Sequence, residues 1–385
     1  MRSARTPVGP AGPKGAQPAT LAGESELNLP DFPWDRLDAA RDRAIRHPDG
    51  LVDLSMGTPV DATPPFIAQA LADGANAPGY PAALGTAALR GAAADWLQRR
   101  FEVQASAEDA ILPTIGSKET VAWLPTMLGV ARGSTILIPE LSYPTYEVGA
   151  LLAGASVRRT ERPPQDAAGI SLAWLNSPAN PHGAVLSVAD LQRWVAWGRA
   201  WSVPIVVDEC YLELGWTVEP ISVLHPSVVG DTHAGVLAVH SLSKRSNMAG
   251  YRAGLIVGDP ALIRTVWNLR RHSGLLVPSP VQAAMTAAYG DDVHVSEQRA
   301  RYGARRERLA ATLTKAGFRI DHSEAGLYLW TTRREPSMST VDWCAARGIL
   351  VAPGTFYGPT GGQHVRIALT ATDERIAAAA RRLSS

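Results

Sequence analysis

The stretch Ser241-Leu242-Ser243-Lys244-Arg245-Ser246-Asn247-Met248-Ala249-Gly250-Tyr251-Arg252-Ala253-Gly254 lies between two short apolar runs. Val236-Leu237-Ala238-Val239 precedes it and Gly254-Leu255-Ile256-Val257-Gly258 closes it. Both runs read as buried strands. Lys244 therefore falls on the turn at a strand end, which in an open α/β sheet is where ligands bind. The chain has four lysines against thirty-three arginines, so lysine at this position is a marked choice. Arg replaces Lys as a surface cation, but its guanidinium does not deprotonate usefully and cannot form a Schiff base. The hydroxyls of Ser241 and Ser243, with the guanidinium of Arg252, suit a phosphate monoester dianion. A solvated lysine in a serine-rich turn is the plain alternative. A reactive lysine beside a phosphate cradle points instead to pyridoxal 5′-phosphate.

Working outward, residues 110 to 260 alternate short apolar strands with amphipathic helices. Ala110-Ile111-Leu112-Pro113 leads into Gly116-Ser117-Lys118-Glu119 and a helix through Met127. Thr135-Ile136-Leu137-Ile138 is followed by a helix near Thr145–Leu152, and Ile170–Leu175 by a helix over Asp190–Ala200. Such alternation predicts an α/β fold whose mostly parallel sheet is covered on both faces. Past residue 280 the pattern changes to a long Arg/Ala-rich helix over Val295–Ala316, then strands at Gly326–Thr331 and His364–Ala368. The expected organisation is a disordered tail over 1–25 and a large domain over 57–280. A smaller α+β domain is expected from 26–56, which carries Phe32-Pro33-Trp34, together with 281–385.

At 385 residues and 40.9 kDa the chain can bury a large core. A net charge of +1 gives no electrostatic reason to expect nucleic acid or an anionic membrane as partner. No apolar run approaches the ~18 residues that span a bilayer. Cys210 and Cys344 are too few for a disulfide framework or a metal site and fit a reducing cytoplasm. The first residues are rich in Pro, Gly and Ala and lack the apolar segment of a secretory signal.

Other strand ends carry polar groups of their own. Backbone amides at Gly116-Ser117-Lys118, at a strand–helix junction, form an anion site that needs no side chain. Asp208 ends the run Ile205-Val206-Val207, and Tyr211 follows closely. A carboxylate there can pair with a protonated pyridine nitrogen and a phenol with the ring oxygen, although an Asp after a strand also serves as a helix N-cap. In Asn176-Ser177-Pro178-Ala179-Asn180-Pro181-His182-Gly183 the prolines and glycine stiffen a loop that presents Asn180. Tyr143 is a candidate to stack on a cofactor ring, or else a core aromatic. Arg366 is a lone charge in the apolar run Val365-Arg366-Ile367-Ala368. Buried, it needs a substrate carboxylate or a structural ion pair.

The ordered set Tyr80, Gly116-Ser117-Lys118, Tyr143, Asn180, Asp208, Tyr211, Ser241, Ser243, Lys244, Arg252 and Arg366 resembles the class I/II aminotransferases of pyridoxal-phosphate fold type I, from about residue 28 to 383. That resemblance implies Lys244 as the Schiff-base lysine, Asp208 as partner of the pyridinium, and Tyr211 and Asn180 as ligands of the ring oxygen. Ser117, Ser241, Ser243 and Arg252 would hold the phosphate, Arg366 the substrate α-carboxylate, and Gly57 would face the substrate. Tyr80 resembles the tyrosine that reaches the phosphate across a homodimer interface, where Pro278-Ser279-Pro280 could meet it.

A closer likeness is to the actinobacterial succinyldiaminopimelate transaminases. It is carried by Asp208-Glu209-Cys210-Tyr211-Leu212-Glu213-Leu214-Gly215-Trp216, by Val239–Lys244, and by Ile349-Leu350-Val351-Ala352-Pro353-Gly354-Thr355-Phe356-Tyr357-Gly358-Pro359. It implies glutamate as amino donor and N-succinyl-2-amino-6-oxopimelate as acceptor. The acceptor's remote carboxylates would need Lys118, Arg245, Arg271 or His272. Another amino-acid aminotransferase and a fold-type-I C–S β-lyase would share every cofactor residue. A pyridoxal-phosphate-sensing regulator would bring a helix-turn-helix domain, for which the tail before Asn28 is too short. A Rossmann dehydrogenase would need a Gly-x-Gly-x-x-Gly turn after an early strand, and none is present.

Overall fold

The computed structural model describes residues 29–384, so the tail expected over 1–25 lies outside the described residues. The strands in chain order are β1 (Val52–Asp53), β2 (Ile111–Thr114), β3 (Thr135–Ile138), β4 (Ser156–Arg159), β5 (Ile170–Asn176), β6 (Ile205–Asp208), β7 (Val236–Ser241), β8 (Gly254–Gly258), β9 (Arg319–Ile320), β10 (Tyr328–Thr332), β11 (Ile349–Leu350), β12 (Ala352–Pro353) and β13 (Val365–Ala368). Seven of them form one sheet in the order β2-β8-β7-β6-β5-β3-β4. β8 runs antiparallel to both its neighbours, and the other pairings are parallel.

Alternation along the central strands builds two cores. Ile205 and Val207, Val236 and Ala238, and Leu255 and Val257 face one layer of helices. Val206, Leu237, Val239 and Ile256 face the other. Burying each such side chain is worth roughly 1.5–3 kcal/mol, more than the ~1 kcal/mol span of intrinsic strand preference. Packing on both faces therefore holds these strands in place.

Parallel neighbours need long crossovers, and helices such as Thr145–Leu152, between β3 and β4, and Val188–Trp201, between β5 and β6, supply them. Ser187 caps the last of these through a reciprocal pair with Asp190. β8 needs no crossover because it is antiparallel to β7. The short connection between them, which carries Lys244, stays at one edge of the sheet.

A four-stranded antiparallel sheet, β12-β13-β10-β9, and the parallel pair β1-β11 form a second unit. Its core takes Leu37, Ala40 and Ala44 from the first helical turns, Leu309 and Leu313 from helix Val293–Lys315, and Val365 and Ile367 from β13, with Trp34 packed against it. Helix Ser279–Tyr289 crosses the boundary expected after residue 280, since Ala284, Met285, Ala288 and Tyr289 join the core of the large sheet.

Gly149 shows how tightly the helical layer packs. A Cβ there would meet the carbonyl oxygens of Val121 at 2.7 Å and Ala122 at 3.1 Å. In an exposed helix Gly→Ala stabilises by ~1 kcal/mol, but here the backbones would have to separate, at a typical cost of ~1–3 kcal/mol. Gly149→Ala is expected to lower the melting temperature. A rise would show that the helices approach less closely than described.

Candidate active site

Register brings the polar strand ends together. Asn176 at the end of β5 pairs with Asp208 at the end of β6, and Asp208 with Val239 of β7. Ser241 of β7 and Thr114 of β2 both lie opposite Gly254, the first residue of β8. Four strand ends and the Lys244 connection thus share one edge of the sheet, where the notion of a strand-end crevice places a ligand.

A cavity of about 730 Å³ opens there. Its walls include Lys244, Asp208, Tyr211, Tyr143 and Asn180, with Ser117, Lys118, Ser241, Ser243 and Arg252. Gly57 and Arg366 line the same space. Gly116 stands beside it as the residue before helix Ser117–Met127, at φ +77. A Cβ on Gly116 would lie 2.5 Å from Nη2 of Arg252, so only glycine lets the guanidinium close over this helix start. Arg252 is itself in the left-handed region, at φ 56, and its Nη1 donates to Ala249 O at 2.9 Å. Tyr80 is fully exposed and lies outside the cavity wall.

Lys244 is half-buried, and Nζ donates to the carbonyl of Gly57 at 2.5 Å. Burial lowers its pKa below the ordinary 10.5 of lysine, with the nearby Tyr328 and Cys210 opposing and Arg366 and Arg252 adding to the drop. A neutral amine is thereby reached closer to physiological pH, as a nucleophile requires.

Asp208 is buried, which pushes its carboxyl above the usual range, while donors from Cys210 and Tyr146 favour the carboxylate. Cys210 N donates to Oδ1 at 3.1 Å and the Tyr146 hydroxyl to Oδ2 at 3.0 Å. The helix N-cap considered as the alternative does not form, because a turn and not a helix follows Asp208; the Cys210 contact belongs to that turn, and the carboxylate lines the cavity. Tyr146 is held by stacking on Trp174, with ring centroids 5.1 Å apart. Tyr143 lies edge-on to Tyr146 at 6.0 Å and faces the cavity, and burial pushes its phenol up to about 12.

Asn176 pins the loop that carries Asn180. Its amide donates to Pro178 O at 3.0 Å and Asp208 O at 2.9 Å, and its Oδ1 accepts from Asn180 N at 2.7 Å. Asn180 Oδ1 in turn accepts from Nη1 of Arg366 at 2.9 Å. Nη2 of Arg366 donates to Ser55 O at 2.7 Å, and Nε is buried without a partner. Among the described residues no carboxylate pairs with Arg366, so the structural ion pair weighed for it does not form. The Tyr328 ring lies under its guanidinium at 3.9 Å.

Three residues considered for remote carboxylates point elsewhere. Arg245 is buried in an ion pair with Glu213 and lies between the rings of Trp96 and Tyr289, at 5.1 and 5.4 Å. One residue along a short helix is a turn of about 100°, which carries Arg245 away from the face of Lys244. Arg271 and His272 are exposed in the last turn of helix Pro260–Ser273, with Arg271 over Trp267. Lys118 does line the cavity and is exposed at its mouth, its ammonium 5.6 Å from the Phe32 ring. Tyr146, Asn176 and Tyr328 were not singled out from sequence. The roles of Tyr146 and Tyr328 depend on partners 62 and 117 residues away, while Asn176 braces its own loop through Pro178 and Asn180.

The donor set fits pyridoxal phosphate. It offers a half-buried amine, a buried carboxylate, hydroxyls with helix-start amides and an arginine for the phosphate, and aromatic walls. Comparison with known proteins agrees. A family model described as aminotransferase class I and II matches residues 49–383. A probable aminotransferase of Mycobacterium tuberculosis is 55% identical over 96% of this chain and 88% of its own length. The 4-dedimethylamino-4-oxo-anhydrotetracycline transaminase of Streptomyces rimosus is also 55% identical, over 92% of this chain and 99% of its own. The solved N-succinyldiaminopimelate aminotransferase from Mycobacterium tuberculosis superposes with a TM-score of 0.80 at 27% identity, covering 91% of this chain and 96% of that one. The chain belongs to the class I and II aminotransferases, a pyridoxal-phosphate-dependent family of α/β fold type I.

Proposed function

We propose that this aminotransferase moves an amino group between glutamate and N-succinyl-2-amino-6-oxopimelate. The observation that carries the reading is Arg366: a buried guanidinium facing the cavity, held by Asn180 and Ser55 and left with no carboxylate of its own among the described residues. It suits a substrate α-carboxylate.

Bound in the cavity, pyridoxal phosphate would supply a carbonyl group to carry the amino group and an electron-accepting ring. Lys244 Nζ holds the cofactor and, once free, moves the α-carbon proton as a general base and acid. Asp208 keeps the proton on the ring nitrogen, braced by Tyr146 and Cys210. Tyr211 and Asn180 address the ring oxygen, and Tyr143 covers the ring face. Ser117, Ser241, Ser243, Arg252 and the amides at Gly116-Ser117-Lys118 hold the phosphate, at the start of a helix whose dipole favours an anion. Gly57 presents its carbonyl to Lys244 at the cavity wall, where a Cβ would run into Tyr328.

Lys118 at the cavity mouth supports a substrate with a remote carboxylate, as does the likeness to the solved N-succinyldiaminopimelate aminotransferase. A second reading rests on Leu29, Phe32, Trp34, Met56 and Val148, which make the outer wall apolar. That wall favours a bulky, largely apolar ketone, in keeping with the relative named for a tetracycline intermediate. Unpaired Cys210 and Cys344 support a reducing cytoplasm as the site of action.

Purified enzyme charged with glutamate and offered a panel of ketones separates the readings. The succinylated oxopimelate should be the best acceptor. Lys118→Ala should then lower kcat/KM for it by up to about fivefold, the effect of an exposed charge pair worth ~1 kcal/mol or less, and leave short keto acids unchanged. Strong turnover of polycyclic or aromatic ketones with none of the succinylated acceptor would favour the second reading.

We further propose a homodimer in which Tyr80, fully exposed in one chain, serves the neighbour's phosphate. Mixing inactive Tyr80→Ala and Lys244→Ala subunits should restore part of the activity. Verified subunit exchange with no recovery would contradict a shared site.

A further inference from the structure

Tyr328 has no part in the mechanism above, yet it stands among the residues that carry it. It begins β10, in the second sheet, and its side chain reaches into the cavity wall. Its hydroxyl lies 3.2 Å from that of Tyr211, both rings are buried, and they meet nearly edge-on at a centroid separation of 5.9 Å. A Cβ on residue 57 would fall 2.1 Å from the Tyr328 oxygen, so the chain passes there only as glycine. The carbonyl of that same Gly57 receives the Lys244 ammonium. The phenol is thus wedged between Tyr211, the Lys244 anchor and the Arg366 guanidinium.

Each phenol has one proton to donate. A Tyr211 that gave its proton to Tyr328 could not also give it to a ring oxygen in the cavity. The surroundings decide which donates. Burial raises both phenols, but at Tyr328 the nearby Arg366 and Lys244 cations and the Tyr211 hydroxyl outweigh it and hold its pKa below the usual 10. Burial and the neighbouring Tyr328 leave Tyr211 well above 10. With the Tyr211 proton committed to a ring oxygen, the 3.2 Å contact is made only with Tyr328 as donor, the direction that the cations beside Tyr328 also favour. A hydroxyl that accepts a hydrogen bond is polarised into a stronger donor itself.

We propose that Tyr328 is a positioning residue for transamination, its hydroxyl donating to Tyr211 and so directing the Tyr211 proton at the cofactor's ring oxygen. The proposal rests on the reading of Tyr211 as a ligand of that oxygen.

The test is a pH titration of the holoenzyme's visible absorption. A donor on the ring oxygen draws negative charge from the chromophore, whose proton then leaves at lower pH; a weaker donor moves the midpoint up. Tyr328→Phe removes the hydroxyl and keeps the ring under Arg366. It should raise the midpoint by about 0.4–1 pH unit, the weight of one hydrogen bond. Tyr211→Phe should raise it at least as far, and the double variant no further than Tyr211→Phe alone. If Tyr328→Phe folds poorly, 3-fluorotyrosine placed at position 328, a stronger acid, should move the midpoint down. An unmoved midpoint in the position-328 variants, with Tyr211→Phe shifted, overturns the proposal alone, and so does an additive double variant. An unmoved midpoint in Tyr211→Phe overturns the reading of Tyr211 and the proposal with it.

Discussion

The active site depends on one reversal of strand direction. Because β8 returns antiparallel beside β7, the connection carrying Lys244 and Arg252 never leaves the edge where β5, β6 and β2 also end. A parallel β8 would have to be reached by a crossover along the sheet and would begin at the far edge. The reversal places Gly254 between Ser241 and Thr114. A Cβ at Gly254 would lie 3.0 Å from His240 O and 3.1 Å from Ser117 N, so the lysine turn and the helix that offers its amides are packed against each other. The Lys244 amine, the Arg252 guanidinium, the start of helix Ser117–Met127 and the Asp208 carboxylate then converge on one cavity.

The second unit contributes through Arg366 and Tyr328. They sit on neighbouring antiparallel strands, and the guanidinium lies over the phenol ring. Burying a guanidinium costs several kcal/mol unless it is paired. Asn180 and the Ser55 carbonyl meet part of that demand, and the aromatic faces of Tyr328 and Tyr357 part more. What is left over is suited to a ligand carboxylate. That uncompensated cost is the physical basis of the carboxylate preference proposed for Arg366.

Much of this was legible in the sequence because it is local. The strands around Lys244, the helix Thr145–Leu152 and the polar strand ends follow from runs of a few residues, and the structure has them where the patterns predict. The mixed, mostly parallel sheet is as the strand and helix alternation predicts, with β8 as its antiparallel member. Tyr328 was not legible, since its importance lies in a contact across 117 residues, to Tyr211, whereas Asn176 acts mainly on its own loop, through Pro178 and Asn180, and reads in sequence as ordinary turn chemistry. Arg245 misled for the opposite reason. Adjacency to Lys244 in sequence suggested adjacency in the cavity, whereas one step along a helix turned it into the core against Glu213. Helix Ser279–Tyr289 likewise looks from sequence like the start of a new unit, but its apolar face packs on the large sheet.

Placement of the reactive amine is the claim on which the rest stands. Borohydride reduction of the holoenzyme followed by peptide mapping locates the lysine that holds pyridoxal phosphate. The pyridoxyl group should be found on Lys244 alone. A label on Lys118 or Lys315 instead, or cofactor released unreduced from an active enzyme, would contradict the account.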